Sequence, residues 1–312
     1  MSQLKFGRNY NLVVQRNDGT FLNINLPFTI EFALTRSSLG SVNSAQIRIY
    51  NLDADNREQL RYDWSNYSQA KFVKLNAGYG EDPFSLPLIF YGTVSQAWSY
   101  REGVDFVTTI ECQDGAYCAA NSTVPPGKGV FPANTPWRTV YETLMSFLDF
   151  VNFGEIGNSF IFDKNGQLLL TQRSNSYTGN VMNILKNLTG NAFYIDNGKS
   201  YILTNEEYSK IQSSGSNVAI IDKSNGLLNT PLIEVKLITL DIIFEPTLFI
   251  GQLIKLRSQT TSYLNNITIN NQVNNSYKIS SLKHRAVISP VVCGDAITTV
   301  QFYAVNASDT GA

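Results

Sequence analysis

Phe28, Ile30, Phe32 and Leu34 are separated by Thr29, Glu31 and Ala33, so the four larger apolar side chains share one face of an extended segment. A period of two is the mark of a half-buried β-strand. The same alternation places Ile47 and Ile49 against polar Gln46 and Arg48, and shorter apolar runs follow at Phe72–Leu75, Ile89–Val94 and Phe106–Ile110. Asn17-Asp18-Gly19 and Glu102-Gly103 supply the positive-φ residues that tight hairpins need. Many short strands joined in this way predict an antiparallel barrel or sandwich. The one helical segment predicted in this third is Asp53–Leu60, opened by an acidic cap.

Pro125-Pro126-Gly127-Lys128-Gly129 interrupts any regular element, and a boundary is placed near it. Beyond it, Thr135 as cap and Pro136 at the first helical position predict a helix with Trp137, Val140, Tyr141, Leu144, Phe147 and Leu148 on one stripe. A second helix is predicted over Asn180–Leu188, stopped by Gly190 and followed by a hairpin that turns at Asp196-Asn197-Gly198. From Val218 the pattern is β again: Val218–Ile221, Leu232–Phe244, Gln252–Arg257, Tyr277–Leu282 and Ile297–Tyr303, with a polar loop near Asn265–Asn275. The order is β-rich (1–120), α+β (121–217), β-rich (218–312). The fold class expected is mainly β, and the two outer units are candidates for diverged structural duplicates.

Composition narrows the function. Of 312 residues only 16% are charged, against roughly 25% in average soluble proteins, and 24 Lys+Arg balance 25 Asp+Glu. No basic cluster exists to neutralise phosphates, which argues against nucleic acid as the main partner. With 18 Phe, 16 Tyr and 3 Trp the chain can bury large apolar groups, and its low charge leaves a neutral surface suited to an assembly. Cys112, Cys118 and Cys293 are too scattered for a disulfide framework or a cysteine zinc site. The N-terminal residues lack a signal peptide's apolar run, and no stretch approaches the ~20 apolar residues of a membrane helix, so synthesis in the cytosol is expected.

His284 is the single histidine, so any Ser-His-Asp triad would have to use it; without a Gly-X-Ser-X-Gly motif it reads better as a locally bonded strand residue. Gly127-Lys128-Gly129 lacks the spacing of a phosphate loop and reads as a linker. Asp53-Ala54-Asp55-Asn56 lacks the glycine and terminal Glu of a Ca²⁺ loop and reads as a capped helical turn. Glu206-Glu207 could serve glycoside hydrolysis but fits a solvated face. Gly78-Tyr79-Gly80 is a kinked strand end, not a dinucleotide fingerprint. Trp98 and Tyr100 could stack on sugar if exposed; packing inside the barrel is the competing assignment. Thus no catalytic, cofactor-binding or metal-binding residue is assigned, and a binding or structural role is favoured over an enzyme.

Ordered local patterns along the chain resemble bacteriophage tail baseplate hub proteins of the contractile-tail family, and the hub part of type VI secretion spike proteins. Phe28–Phe32, Ala45–Leu52, Leu75–Tyr79, Ile89–Gly92 and Cys112-Gln113-Asp114-Gly115 resemble the family's N-terminal barrel. Pro125-Pro126-Gly127, the Trp137 helix, Leu185–Tyr194 and Asp196-Asn197-Gly198 resemble its α+β insertion. Gly226–Pro231, Phe244–Leu248, Gly251–Ile254, Tyr277–Ile279 and Leu282-Lys283-His284 resemble its second barrel, in which a single His is a recurrent structural feature. Arg285-Ala286-Val287 departs from the small or acidic residues usual after that His, and the segment from Thr260 to Asn275 is long and Asn-rich.

The resemblance implies two antiparallel, tube-like β-barrels flanking a small α+β insertion, and a homotrimer whose six barrels match a hexameric tail tube above and a three-fold spike below. It implies a virion protein of the tail baseplate, assembled in the host cytoplasm. The implied partners are the tail tube protein, the central spike protein, the tape measure and baseplate wedge proteins, with DNA passing through the lumen and no cofactor or membrane insertion. The alternative is a tail-associated cell-wall hydrolase using carboxylates, or a glycan-binding tail-tip protein.

Overall fold

A computed structural model of the chain describes residues 5–37, 42–62, 70–204, 207, 219–234, 237–258, 261–263, 268–269, 273–291 and 294–304. The first region contains strands β1 (Arg8–Gln15), β2 (Phe21–Asn25), β3 (Ile30–Ser37), β4 (Ser44–Tyr50), β5 (Phe72–Tyr79), β6 (Leu88–Glu102) and β7 (Asp105–Gln113). They pair antiparallel in the order β2-β1-β5-β6-β7-β4-β3. The alternation read from sequence holds: Ile30, Phe32 and Leu34 of β3 and Ala45, Ile47 and Ile49 of β4 point into one core with Leu12, Leu75, Phe90 and Ile110. Helix α1 (Ala54–Leu60) begins where expected, with the Asp53 carboxylate accepting the Asn56 N–H at 2.8 Å.

The middle region packs helices α2 (Ala116–Asn121), α3 (Trp137–Met145), α4 (Asn158–Ile161) and α5 (Val181–Thr189) against a small sheet of β8 (Asn152–Ile156), β9 (Phe193–Asp196) and β10 (Lys199–Ile202). Val140, Leu144, Leu148, Val181, Leu185, Phe193 and Ile202 form its separate core. α5 begins one residue later than expected, and the Asn180 side chain caps it by accepting the Asn183 N–H. The start of α3 differs from expectation. Pro136 occupies the cap position, and the Thr135 hydroxyl donates to the Pro132 carbonyl instead of capping. That hydroxyl braces the preceding turn, so it is already used when the helix begins.

The last region contains β11 (Ile238–Ile243), β12 (Leu253–Ser258), β13 (Val273–Ile288) and β14 (Ala296–Ala304) with several two- or three-residue pairings. The expected polar loop at Asn265–Asn275 falls partly outside the described residues, and β13 already begins at Val273. β13 has 16 residues where six were predicted, and it makes the principal connection of the fold. One of its edges pairs with β14; along the other, residues 273–278 pair with β12 and residues 281–288 pair with β3. The two β regions therefore form one continuous sheet, and among the described residues hydrogen bonding closes neither into a barrel. Leu282 belongs to the third core, with Leu240, Ile254 and Phe302, whereas Ala286 and Ile288 belong to the first. His284 lies on the same face between them, at the crossing from one core to the other.

Candidate functional site

Several of the described residues singled out for chemistry have structural tasks. Among the described residues no group of three or more His, Cys, Asp or Glu side chains could hold a metal ion. Glu207 spends its carboxylate on the N–H and hydroxyl groups of Ser159 and Thr204, and Glu206 lies outside the described residues. Gly127 turns with φ +74° as the Lys128 N–H bonds back to the Pro125 carbonyl. Cys112 and Cys118 are free, buried thiols, and burial pushes Cys118 up to about 12; Cys293 lies outside the described residues. No described helix is long and apolar enough to cross a membrane.

His284 is fully buried. Its Nδ1 lies 2.8 Å from Thr298 Oγ1, and that oxygen also accepts the Glu245 N–H at 2.9 Å. Phe244 meets the imidazole edge-on at 5.6 Å, and Nε2 has no partner among the described residues. Burial, reinforced by the Arg36 charge, holds the imidazole down to about 3, so it is neutral at physiological pH. A buried imidazole, neutral at physiological pH, with one nitrogen tied to a threonine joins β3, β13 and β14.

A second polar cluster fastens the middle region to the sheet. β9 and β10 are joined by a tight turn in which Asn197 (φ +51°) and Gly198 (φ +70°) both take left-handed conformations, as a type I′ hairpin requires. Arg36, at the end of β3, donates from Nε (3.1 Å) and Nη2 (2.6 Å) to the two oxygens of Asp196. Asn43 Nδ2 donates to the same Asp196 and to the Ile195 carbonyl, while Asp114 Oδ1 accepts the Gly198 N–H at 3.1 Å. Burial, then the nearby Asp196 charge, pushes Asp114 up to about 7 against the pull of the backbone donors. The backbones are equally close: a Cβ on Gly198 would sit 2.3 Å from the Tyr91 ring, and one on Gly115 would sit 2.7 Å from Ile195 Cδ1. Sequence reading found the turn but not its clamp, because Arg36 and Asp196 are 160 residues apart.

On the surface, the far end of the β6–β7 hairpin and α1 enclose an open groove of about 580 Å³, walled by Trp98, Tyr100, Phe106, Arg57, Glu58 and Arg61. Trp98 is half-buried and Tyr100 exposed, so neither is the fully enclosed core residue of the competing assignment. Arg57 and Phe106 were missed in sequence; the only cue was a pair of arginines four apart on a short helix.

The family described as baseplate hub gp41 matches residues 11–287. No curated protein matches the chain. Solved structures share the fold at low identity. The 43 kDa tail protein of prophage MuSo2 from Shewanella oneidensis matches with a TM-score of 0.55 at 9% identity, over 94% of this chain and 96% of that one. The lidless PdpA-VgrG complex of Francisella gives 0.58 at 8%, over 96% of this chain and 65% of that one. The E. coli c3393 protein, a type VI secretion component similar to the T4 tail proteins gp27 and gp5, gives 0.52 at 8%, over 89% and 74%. With the family matched over most of its length and a mainly β fold shared with tail proteins, this chain belongs to the baseplate hub gp41 family, structural proteins of the phage tail.

Proposed function

We propose that three copies of the chain form the hub ring of a tail baseplate, each contributing two tube-like β units, residues 1–120 and 218–312, with the module 121–217 on the outside. The ring presents six similar units to a hexameric tail tube and a three-fold face to a central spike. The observation that carries this reading is β13, a single strand hydrogen-bonded into both β regions. An adaptor needs its two units held in one fixed relation, and a shared strand supplies that rigidity. The likeness to proteins described as VgrG and as gp27- and gp5-like supports a spike partner. The tape measure and wedge proteins are further expected neighbours. A near-neutral chain also suits a lumen through which DNA passes without being retained, since a basic wall would bind phosphate. The chain acts without catalysis, in the virion tail, after assembly in the host cytoplasm.

Light scattering on the purified protein tests the ring: a mass three times 34.8 kDa is expected, and a monomer at every attainable concentration overturns it. Retention of DNA by the trimer at physiological salt would contradict the inert lumen.

A further inference from the structure

The groove at the end of the β6–β7 hairpin holds a cation whose hydrogen-bonding capacity is unused among the described residues. The Arg57 guanidinium lies 3.8 Å above the centre of the Phe106 ring. Among the described residues its side chain makes no hydrogen bond and no ion pair, whereas neighbouring Arg48 is neutralised by Glu31 and Glu102. Arg61 is only loosely paired with Glu58, at 4.0 Å between two well exposed side chains. A guanidinium held over a ring still has its N–H donors to offer, and these can meet a carboxylate with two parallel bonds. Around it the walls are aromatic: Trp98 is half-buried, and Tyr100 is 38% and Phe106 40% exposed. A cation held against aromatic walls matches an occupant with a carboxylate next to an apolar side chain.

We infer that this groove is a docking site for an extended acidic peptide segment of another protein, with a Glu or Asp carboxylate held by Arg57 and an adjoining apolar side chain against Trp98 and Tyr100. Charge complementarity selects the occupant: two arginines face one glutamate in the groove. The excess cation favours an acidic peptide over a neutral saccharide, which has no carboxylate to offer Arg57. This inference does not rest on the hub ring; a trimer that fails to bind peptide would sink the docking site alone.

The test uses the full chain and two fluorescein-labelled dodecapeptides, one alternating Glu with Leu and one alternating Gln with Leu, read by anisotropy and by tryptophan fluorescence, the share of Trp98 being the difference from Trp98→Phe. The Glu peptide is expected to bind tenfold or more tighter than the Gln peptide, the worth of a charged hydrogen-bonded pair, and to weaken as salt rises. Arg57→Gln should erase that preference. Equal binding of the two peptides, absence of saturable binding, or a preference that survives Arg57→Gln overturns the inference. Quenching of Trp98 by chitohexaose, unchanged in Arg57→Gln, would assign the groove to glycans and overturn it as well.

Discussion

Arg36 and Asp196 join at 3.1 and 2.6 Å through two parallel hydrogen bonds, with side chains only 5% and 11% exposed, and they do so across the junction between the large sheet and the middle module. Their mutual attraction largely offsets the cost of taking two charges out of water, so the pair matters most when it is broken. Asp196→Ala would leave the guanidinium buried without its carboxylate, at a cost of about 3–5 kcal/mol. Asn43 would lose a partner as well. The expected readout is a large fall in thermal midpoint together with faster proteolysis between the module and the sheet. Wild-type stability in Asp196→Ala would show that the clamp is decorative.

Asp114 lies beside that clamp with its carboxyl pushed up to about 7, against 3.8 in the unfolded chain. The folded state therefore keeps a proton that the unfolded state has released between those values. Its stabilising effect is complete below pH 3.8, is lost as pH rises to about 7, and stays lost above. Asn reproduces the protonated carboxyl and can still accept the Gly198 N–H. Asp114→Asn should thus be more stable than wild type at pH 8 in urea titrations, with the gain shrinking toward pH 4. A variant less stable at pH 8 would refute the assignment.

His284 contributes the opposite slope. Its folded value of about 3 lies below the ordinary 6.5, so the unfolded chain takes up a proton first and stability is lost as pH falls from 6.5 toward 3. Being the only histidine, it has no sister group to blur the measurement. Between pH 5 and 6.5 the Asp114 and His284 slopes, each up to about 1.4 kcal/mol per pH unit, nearly cancel in wild type. His284→Leu should then show stability falling with rising pH across that window, and Asp114→Asn stability rising. Identical pH profiles in the two variants would rule out both assignments.

These relationships mark where sequence reading stops. The period-two faces of β3 and β4, the Asp53 cap, and the Asp196-Asn197-Gly198 turn were legible because each is settled within a few residues. The clamp was not, since Arg36, Asn43, Asp114 and Asp196 are ordinary polar residues until the fold brings them together. Nor was the reach of β13: its first residues, Val273-Asn274-Asn275-Ser276, have loop composition, and only pairing with β12 makes them strand. The expectation of two separate barrels failed to anticipate the shared sheet for the same reason, because strand neighbours as distant in sequence as β3 and β13 leave no local trace. Trp98 and Tyr100 were noticed as aromatics, but the cation that completes their groove comes from α1.

Gly198 and Gly127 offer a controlled comparison of backbone strain with lack of space. Their φ angles are nearly equal, +70° and +74°, so an alanine at either site incurs the same left-handed penalty, about 1–2 kcal/mol. Their surroundings differ. Nothing lies within 4 Å of a Cβ at Gly127, whereas at Gly198 it would overlap Tyr91 Cδ1 at 2.3 Å and Cε1 at 2.5 Å. Tyr91 is itself stacked on Phe72, which packs against Phe150, so the ring cannot retreat without disturbing the aromatic seam below the module. Overpacking of this kind adds about 1–3 kcal/mol. Gly127→Ala should therefore lower stability by the backbone term alone, and Gly198→Ala by roughly twice as much, with altered near-ultraviolet circular dichroism as the tyrosine shifts. Equal losses at the two sites would mean that the turn is not wedged against Tyr91 and that the module is held by Arg36 and Asp196 without it.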